Sequence, residues 1–465
     1  MLKRLFSFLG TAAVFAGTIW AGVVAWWQHI HHVPSIADVI GYLIALPLGT
    51  LTVYGLLGRG IDAVRKRWET VAATPPEAAP AKAAGSNALP SVPRAALLYA
   101  AVRTGLGDDA ANVDSAARAG AAAPLDATLR NAEGFPVRAA RVASLSAQAV
   151  EAAQQAWLAH ASMPCADHQA RTLALLHEVL AHASVAALHA MPSPERQIPG
   201  ATQRPTLHAT VLLPGAWHAA ASETAAAALR TLLAATPGAD ALMLHMRPAA
   251  DARAVIGALD GAVAGLDTAS GSAIGLTLLA AAHSGIADDI DSVPEFGQLP
   301  ADGATHALPL GEGAVALVLA PVPDDPSSAS PHPLPPGDSR ALAPRLLRST
   351  AASRAELTQG LDTALAQAGL AADKISAVYA DAGTLSACAL PLARMTAERL
   401  PQLEPLVDSY GLDKGCGSLG VAGPLLAVAL AAEHAEQHGK PAVALTLADT
   451  SHQAICVVEP TPAAV

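Results

Sequence analysis

Two apolar segments near the start of the chain constrain its fold more strongly than any other feature. Residues 5–27 carry no charged side chain, and residues 36–58 carry only Asp38, close to their edge. A helix of about 20 apolar residues crosses the roughly 30 Å hydrocarbon layer of a bilayer, so each segment is long enough to span it. Because only a short connector separates the two, we predict a hairpin of two transmembrane helices.

The charges around these segments predict how the hairpin is oriented. Lys3 and Arg4 precede it and four basic residues follow it within 59–67, whereas the connector 28–35 has no Lys or Arg. By the positive-inside rule, both ends of the hairpin then face the cytoplasm. We therefore expect a protein of the bacterial inner membrane whose large domain is cytoplasmic and whose basic cluster meets anionic membrane lipid.

Charge and residue spacing argue against several classes of function. The formal net charge is −11 and no basic stripe follows residue 67, so we expect no nucleic-acid partner. The four cysteines form no CxxC pair, which argues against a zinc site or a disulfide framework. Gly415, Gly417 and Gly420 have the GxGxxG spacing, but no convincing strand precedes them, so we expect no dinucleotide and no other cofactor.

The chain divides at two segments rich in Pro, Ala and Ser, a composition typical of linkers. We predict a transmembrane hairpin with a basic juxtamembrane segment at 1–69, a flexible linker at 70–93, an N-terminal half at 94–320, a second linker at 321–336 and a C-terminal half at 337–465.

Short β-type runs alternate with longer helical patterns in both halves. We predict strands at 95–102, 207–213, 241–246, 275–282, 314–319, 375–380, 442–448 and 454–459. We predict helices at 145–160, 170–191, 219–235, 354–368, 389–400 and 424–438. This alternation is typical of a layered α/β fold with partly parallel strands. Its return after the second linker indicates a duplicated unit.

Four segments of this body resemble, in order and spacing, the β-ketoacyl synthases of the thiolase-like superfamily. Residues 97–107 (LLYAAVRTGLG) resemble the family's opening strand and turn, and 310–319 (LGEGAVALVL) resemble its GEGA strand. Residues 378–384 (VYADAGT) resemble its AHGTGT segment, and 414–423 (KGCGSLGVAG) resemble its GH-x-x-x-AG turn. The resemblance implies a duplicated thiolase-like layered α/β body, and a homodimer formed through the first half.

The catalytic residues of that family do not carry over to this chain. The synthases use a Cys nucleophile at a helix N-terminus and two His that polarise the thioester carbonyl. The resemblance puts Ala382, or at best Asp381, in the place of the first His, and Ser418 in the place of the second. None of these side chains replaces a neutral imidazole, so we predict a degenerate site.

Three residues are candidate nucleophiles if the chain nevertheless acts on acyl groups. Ser270 lies in DTASGS, which resembles the family's DTACSS with Ser in the Cys place. Cys165 precedes a predicted helix, and Cys416 lies inside the matched turn. The sequence offers none of the three an evident base.

Two functional hypotheses follow from these features. The first is a non-catalytic, membrane-anchored scaffold or adaptor that holds a cytosolic protein partner at the inner membrane, in a setting such as type VI secretion. The alternative is a divergent β-ketoacyl synthase-like acyltransferase that acts on acyl thioesters. The absence of the two histidines favours the first.

Overall fold

A computed structural model describes the chain from residue 94 onwards, with gaps. The described ranges are 94–130, 134–161, 163–190, 207–217, 219–268, 275–286, 309–322, 345–347, 357–384, 386–449 and 453–460. The predicted transmembrane hairpin, the linker 70–93, nearly all of the linker 321–336 and Ser270 lie outside these ranges.

The described residues form twelve strands and nine α-helices. The strands are β1 (Arg94–Thr104), β2 (Leu125–Arg130), β3 (Pro136–Ala140), β4 (Leu207–Pro214), β5 (Leu242–Ala249), β6 (Thr277–Ser284), β7 (Leu310–Pro321), β8 (Arg345–Leu347), β9 (Val378–Ala380), β10 (Ser409–Gly411), β11 (Ala442–Thr446) and β12 (Ala454–Glu459). The helices are α1 (Ala110–Arg118), α2 (Ala147–Leu158), α3 (Asp167–Ala190), α4 (Ala219–Leu233), α5 (Ala252–Thr268), α6 (Leu357–Ala368), α7 (Ser386–Arg399), α8 (Asp413–Cys416) and α9 (Gly423–His438).

Ten of the strands follow one path, in the order β10-β9-β11-β12-β8-β1-β7-β6-β4-β5. If the five strands of each half are numbered along the chain, both halves have the order 3-2-4-5-1. The pairing directions also repeat. In each half the fifth strand, β7 or β12, is antiparallel to both of its neighbours, and the other pairs within the half are parallel. The mixed α/β fold is therefore confirmed, and its repeated topology supports a duplicated unit.

The two halves meet where their first strands pair. β1 and β8 run antiparallel, with Ala95 opposite Leu346. The β2–β3 hairpin joins the same sheet because β3 pairs with the start of β7, Ala139 opposite Leu310. The path is therefore continuous from one half to the other.

Side chains on the two faces of the sheet enter different cores. Along β7, Val315 and Leu317 enter a core shared with α5 and α9, whereas Ala316 and Val318 pack with α2, α3 and α4. This alternation follows from the two-residue period of a strand. In the C-terminal half, the corresponding outer face packs with α6 and α7. The helices α5 and α9 are thus common to both halves.

A buried polar cluster connects α1 to the C-terminal half. The hydroxyl of Tyr379, on β9, donates a hydrogen bond to Asp114 of α1 and lies 3.2 Å from Nδ1 of His434 on α9. Nε2 of the same imidazole lies 2.9 Å from the Ser376 hydroxyl. Burial, with His438 and Arg118 nearby, lowers the pKa of His434 to about 4, so the ring is neutral near pH 7.

In the part of the chain that the structure describes, one helix has the length and apolar composition of a membrane span. This helix is α3, and most of it is buried against β6, β7 and β1. A span of this kind inside a packed body is typical of the core helix of a globular domain. The two predicted transmembrane segments are upstream of the described residues.

Candidate functional site

One loop crosses between the halves at the carboxyl ends of several strands, and it contains the turn that resembles the ketosynthase family. We call residues 412–423 the crossing loop. Near its start, the Leu412 N–H donates to the carbonyl of Ala380 at 2.9 Å, at the end of β9. Farther along, the Ser418 N–H donates to the carbonyl of Pro309 at 2.8 Å, before β7. Ligands of open α/β sheets bind outside the carboxyl ends of strands, so this loop marks the candidate site.

Two glycines let the crossing loop lie directly against the N-terminal half. Gly417 has φ +66° and packs on the backbone of Leu310, where no side chain fits. Gly420 has φ +46°, and a Cβ on it would lie 2.8 Å from Nδ1 of His283, at the end of β6. Only glycine combines such a backbone with so little space. Two of the three glycines of the GxGxxG spacing, Gly417 and Gly420, therefore serve protein packing in this fold.

Asp381 follows β9 and faces the first residues of α9. A Cβ on Gly423 would lie 3.2 Å from the Asp381 Cβ. Oδ1 of this carboxyl accepts hydrogen bonds from the N–H groups of Leu447 and Ala448, at 2.5 and 3.1 Å. Oδ2 is buried and has no hydrogen-bond partner within the described residues. Burial raises the pKa of Asp381 to about 7, although the two N–H groups act in the opposite direction.

The two positions aligned with the first histidine of the synthases face opposite sides of the sheet. Ala382 is buried in the outer core with α6 and α7, together with Val378 and Ala380. The Asp381 side chain lies instead against Gly423, the first residue of α9. Of the two aligned positions, Asp381 is therefore the one that faces the candidate site.

A second buried carboxylate, Asp413, fixes the segment that follows β9. Its Oδ1 accepts from the Gly383 N–H at 2.8 Å, and its Oδ2 accepts from the Thr384 N–H at 3.0 Å. Burial raises the pKa of Asp413. The sequence reasoning missed this residue because its partners lie about thirty residues away and carry no signature in the sequence.

The two candidate cysteines lie in different cores. Cys416 is fully buried in the shared core, and Cys165 is buried in the outer core with α2, α3 and α4. Burial raises the pKa of Cys416 to about 12 and that of Cys165 to about 11. Because the thiolate is the nucleophilic form, only on the order of one thiol in ten thousand or fewer would be reactive at pH 7.

The segment that contains Ser270, residues 269–274, lies outside the described residues. α5 ends at Thr268, so residues 269–274 follow its C-terminus. At the N-terminus of α5 stands Asp251, whose Oδ1 accepts a capping hydrogen bond from the Ala254 N–H at 2.8 Å.

Ser418 contacts the described part of the chain through its backbone. The Ser418 N–H donates a hydrogen bond to the Pro309 carbonyl, and the Ser418 backbone forms an isolated parallel β-bridge with Leu310. The ring of His283, at the end of β6, lies against Gly420 of the crossing loop. The candidate site therefore contains the carboxyl groups of Asp381 and Asp413 and the imidazole of His283. The thiols of both candidate cysteines are buried in apolar cores.

Comparison with known proteins gives one match to a family model. Residues 342–460, about a quarter of the chain, match the C-terminal part of the type VI lipase adapter protein Tla3. No curated protein sequence matches the chain.

Several solved ketosynthases have a similar structure. The ishigamide ketosynthase/chain length factor is 17% identical, with a TM-score of 0.48, and the match covers 78% of this chain and 99% of that one. The ketosynthase of module 6 of the Bacillus subtilis 168 bacillaene synthase is 11% identical, with a TM-score of 0.49 and coverages of 80% and 71%. A β-ketoacyl synthase from Burkholderia phymatum STM815 is 12% identical, with a TM-score of 0.45 and coverages of 79% and 99%.

Proposed function

We propose that this chain is a non-catalytic adaptor of type VI secretion whose protein partner is a lipase effector. The observation that carries the proposal is the match of residues 342–460 to the type VI lipase adapter Tla3. The burial of the Cys165 and Cys416 thiols, which raises their pKa, supports the non-catalytic part. The ketosynthase-like body would then supply surfaces for binding rather than an acylation site.

The adaptor role predicts a specific complex. We expect the full-length chain to co-purify with one of the lipases that the type VI system of its host exports. Deletion of the gene should abolish export of that lipase while its cellular level stays the same. An unrelated effector of the same system is the matched control, and its export should continue. Failure of every exported lipase to bind the full-length chain would overturn the proposal.

The alternative, an acyltransferase, predicts a covalent intermediate. We expect the full-length chain, incubated with acyl and malonyl thioesters at pH 7.5, to show no acyl adduct on Cys165, Ser270 or Cys416 by mass spectrometry. Iodoacetamide should alkylate all four cysteines in denaturant but none in the folded chain, since all four are buried. An adduct on any of the three residues would identify a nucleophile and support the acyltransferase.

We also propose that residues 1–69 anchor the adaptor in the inner membrane, with the body on the cytoplasmic side. The two apolar segments and the basic cluster at 59–67 support this orientation. The full-length chain should sediment with membranes and resist carbonate extraction, whereas a chain lacking residues 1–69 should remain in the soluble fraction. Recovery of the truncated chain with membranes would show that the anchor lies elsewhere.

Self-association through the N-terminal half is part of the same proposal. Among the described strands, β5 is the last on that side of the sheet, and Met243 on this strand is exposed. On α5, which follows it, Gly257 and Gly261 are exposed, and nothing lies within 4 Å of a Cβ at either position. An open strand edge beside a helix face of small residues gives a second copy close access to the backbone.

A further inference from the structure

The opposite end of the sheet has a second open edge. β10 pairs with β9, and no strand among the described residues pairs with its other side. The carbonyl of Asp408 accepts from the Val378 N–H at 3.0 Å, and the Leu412 N–H donates to the carbonyl of Ala380. In a parallel strand, every second residue forms its backbone hydrogen bonds with the same neighbouring strand. Asp408 and Leu412 bond to β9, so the backbone N–H and C=O groups of Ser409 and Gly411 point away from β9, toward the open edge.

An exposed apolar turn leads directly into this edge. Leu406 is 88% exposed and Val407 is 55% exposed. The turn is closed by its own hydrogen bonds, since the N–H groups of Val407 and Asp408 donate to the Glu404 carbonyl at 3.0 and 2.8 Å. Oδ2 of Asp408 accepts from the Glu404 N–H at 2.8 Å. Leu406 and Val407 are therefore held in a fixed position without an apolar covering.

The chain just before the turn is fixed to the body as well. Nε2 of Gln402 donates to the carbonyls of Ala372 and Ile375, at 2.6 and 2.9 Å. Leu403 is buried in the outer core with α6 and α7. A partner that covers the turn would order little additional chain, which lowers the entropic cost of binding.

Local charge indicates what kind of partner fits this surface. No Lys or Arg lies between Arg399 and Lys414. Within this stretch Glu404 is exposed and Asp408 is partly exposed, whereas Asp413 is buried. A second copy of this chain would bring the same carboxylates to the edge, and like charges opposite each other destabilise strand pairing. A segment that carries Lys or Arg beside apolar side chains would be attracted instead.

We propose that an extended, basic segment of the lipase partner adds to the edge of β10 and packs an apolar side chain on Leu406 and Val407. The inference rests on the proposed adaptor function and names the surface that performs it. Strand addition supplies main-chain hydrogen bonds to Ser409 and Gly411, while the apolar turn and Glu404 select the side chains. The segment 342–460, which matches the adapter family, contains the whole of this surface.

The test measures the affinity of the full-length chain for the lipase that co-purifies with it. Leu406→Glu should weaken binding by about tenfold or more, because it removes an apolar contact and adds a charge of the wrong sign. Glu404→Gln should weaken binding less and reduce its dependence on salt. Leu390→Glu is the matched control, because Leu390 is 71% exposed and lies on α7. The Leu390→Glu chain should bind the lipase with the same affinity as the unmodified chain.

Hydrogen exchange provides a second readout that needs no substitution. The amides of Ser409 and Gly411 should exchange more slowly in the complex than in the free chain. Unchanged affinity of the Leu406→Glu chain, or unchanged exchange at these amides, would overturn the inference while leaving the adaptor function in place. If Leu406→Glu lowers the mass measured by light scattering without weakening lipase binding, a second copy occupies the edge and the inference also fails. Absence of any lipase complex would instead overturn the adaptor function itself.

Discussion

Replacing Glu312 by alanine is expected to lower the free energy of unfolding by about 3–5 kcal/mol, the cost typical of breaking a buried ion pair. Glu312 is fully buried, and its carboxylate holds the guanidinium of Arg171 in two hydrogen bonds of 2.7 and 2.6 Å. It also accepts from the Val142 N–H at 2.9 Å and from the Ser284 hydroxyl at 3.1 Å. The substitution would leave several buried donors without their acceptor.

Urea unfolding of the Glu312→Ala chain, compared with the unmodified chain, checks this expectation. Glu151→Ala is the matched control, because Glu151 lies exposed on α2 and should change stability by less than about 0.5 kcal/mol. The double substitution Glu312→Leu with Arg171→Met should recover part of the loss, since an apolar pair leaves no buried charge. A loss of less than about 1 kcal/mol for Glu312→Ala would contradict the structural role of the pair.

Replacing Asp381 by asparagine is expected to remove a pH dependence of stability. The folded chain holds the Asp381 proton up to about pH 7, whereas an unfolded chain releases it near the ordinary pKa of 3.8. Between these values the unfolded state binds fewer protons, so stability falls as the pH rises from about 4 to about 7. Three pKa units correspond to about 4 kcal/mol, which is an upper bound on the effect.

The comparison is a series of urea unfolding curves at pH 4, 5, 6, 7 and 8. The Asp381→Asn chain should equal the unmodified chain near pH 4 and exceed it in stability above pH 7, since Asn resembles the protonated carboxyl. Asp413, whose pKa burial also raises, is present in both proteins, but its charge helps to raise the pKa of Asp381, so the difference between the two curves reports the interacting pair. Two curves that run parallel from pH 4 to pH 8 would show that Asp381 titrates normally.

Much of the secondary structure could be predicted because strongly apolar periodic segments were also the buried ones. The last strand was predicted at 454–459 and is observed as Ala454–Glu459. α5 was missed, although it has seventeen residues. Glycine recurs in it at every fourth position from Gly257 to Gly265, which lowers intrinsic helix propensity. Packing of its other face in the shared core decides the conformation instead.

Short elements and long-range polar contacts escaped prediction for different reasons. β10 has three residues and no periodicity to detect, and α8 has four. The pair formed by Arg171 and Glu312 joins residues 141 positions apart, which a single sequence does not reveal. The resemblance to ketosynthases located the crossing loop, but whether Ala382 or Asp381 faces it depended on where β9 ends and on which side of the sheet each side chain lies.

The position of β1 has a consequence for the order in which the body folds. Its neighbours, β7 and β8, are made more than two hundred residues after it, since Ala95 pairs with Pro321 and Ala96 with Arg345. At roughly 5–20 residues per second, synthesis of that intervening chain takes on the order of 10–50 s. During this time an apolar strand has neither edge covered, so nascent chains should depend on a chaperone until the C-terminal half has left the ribosome.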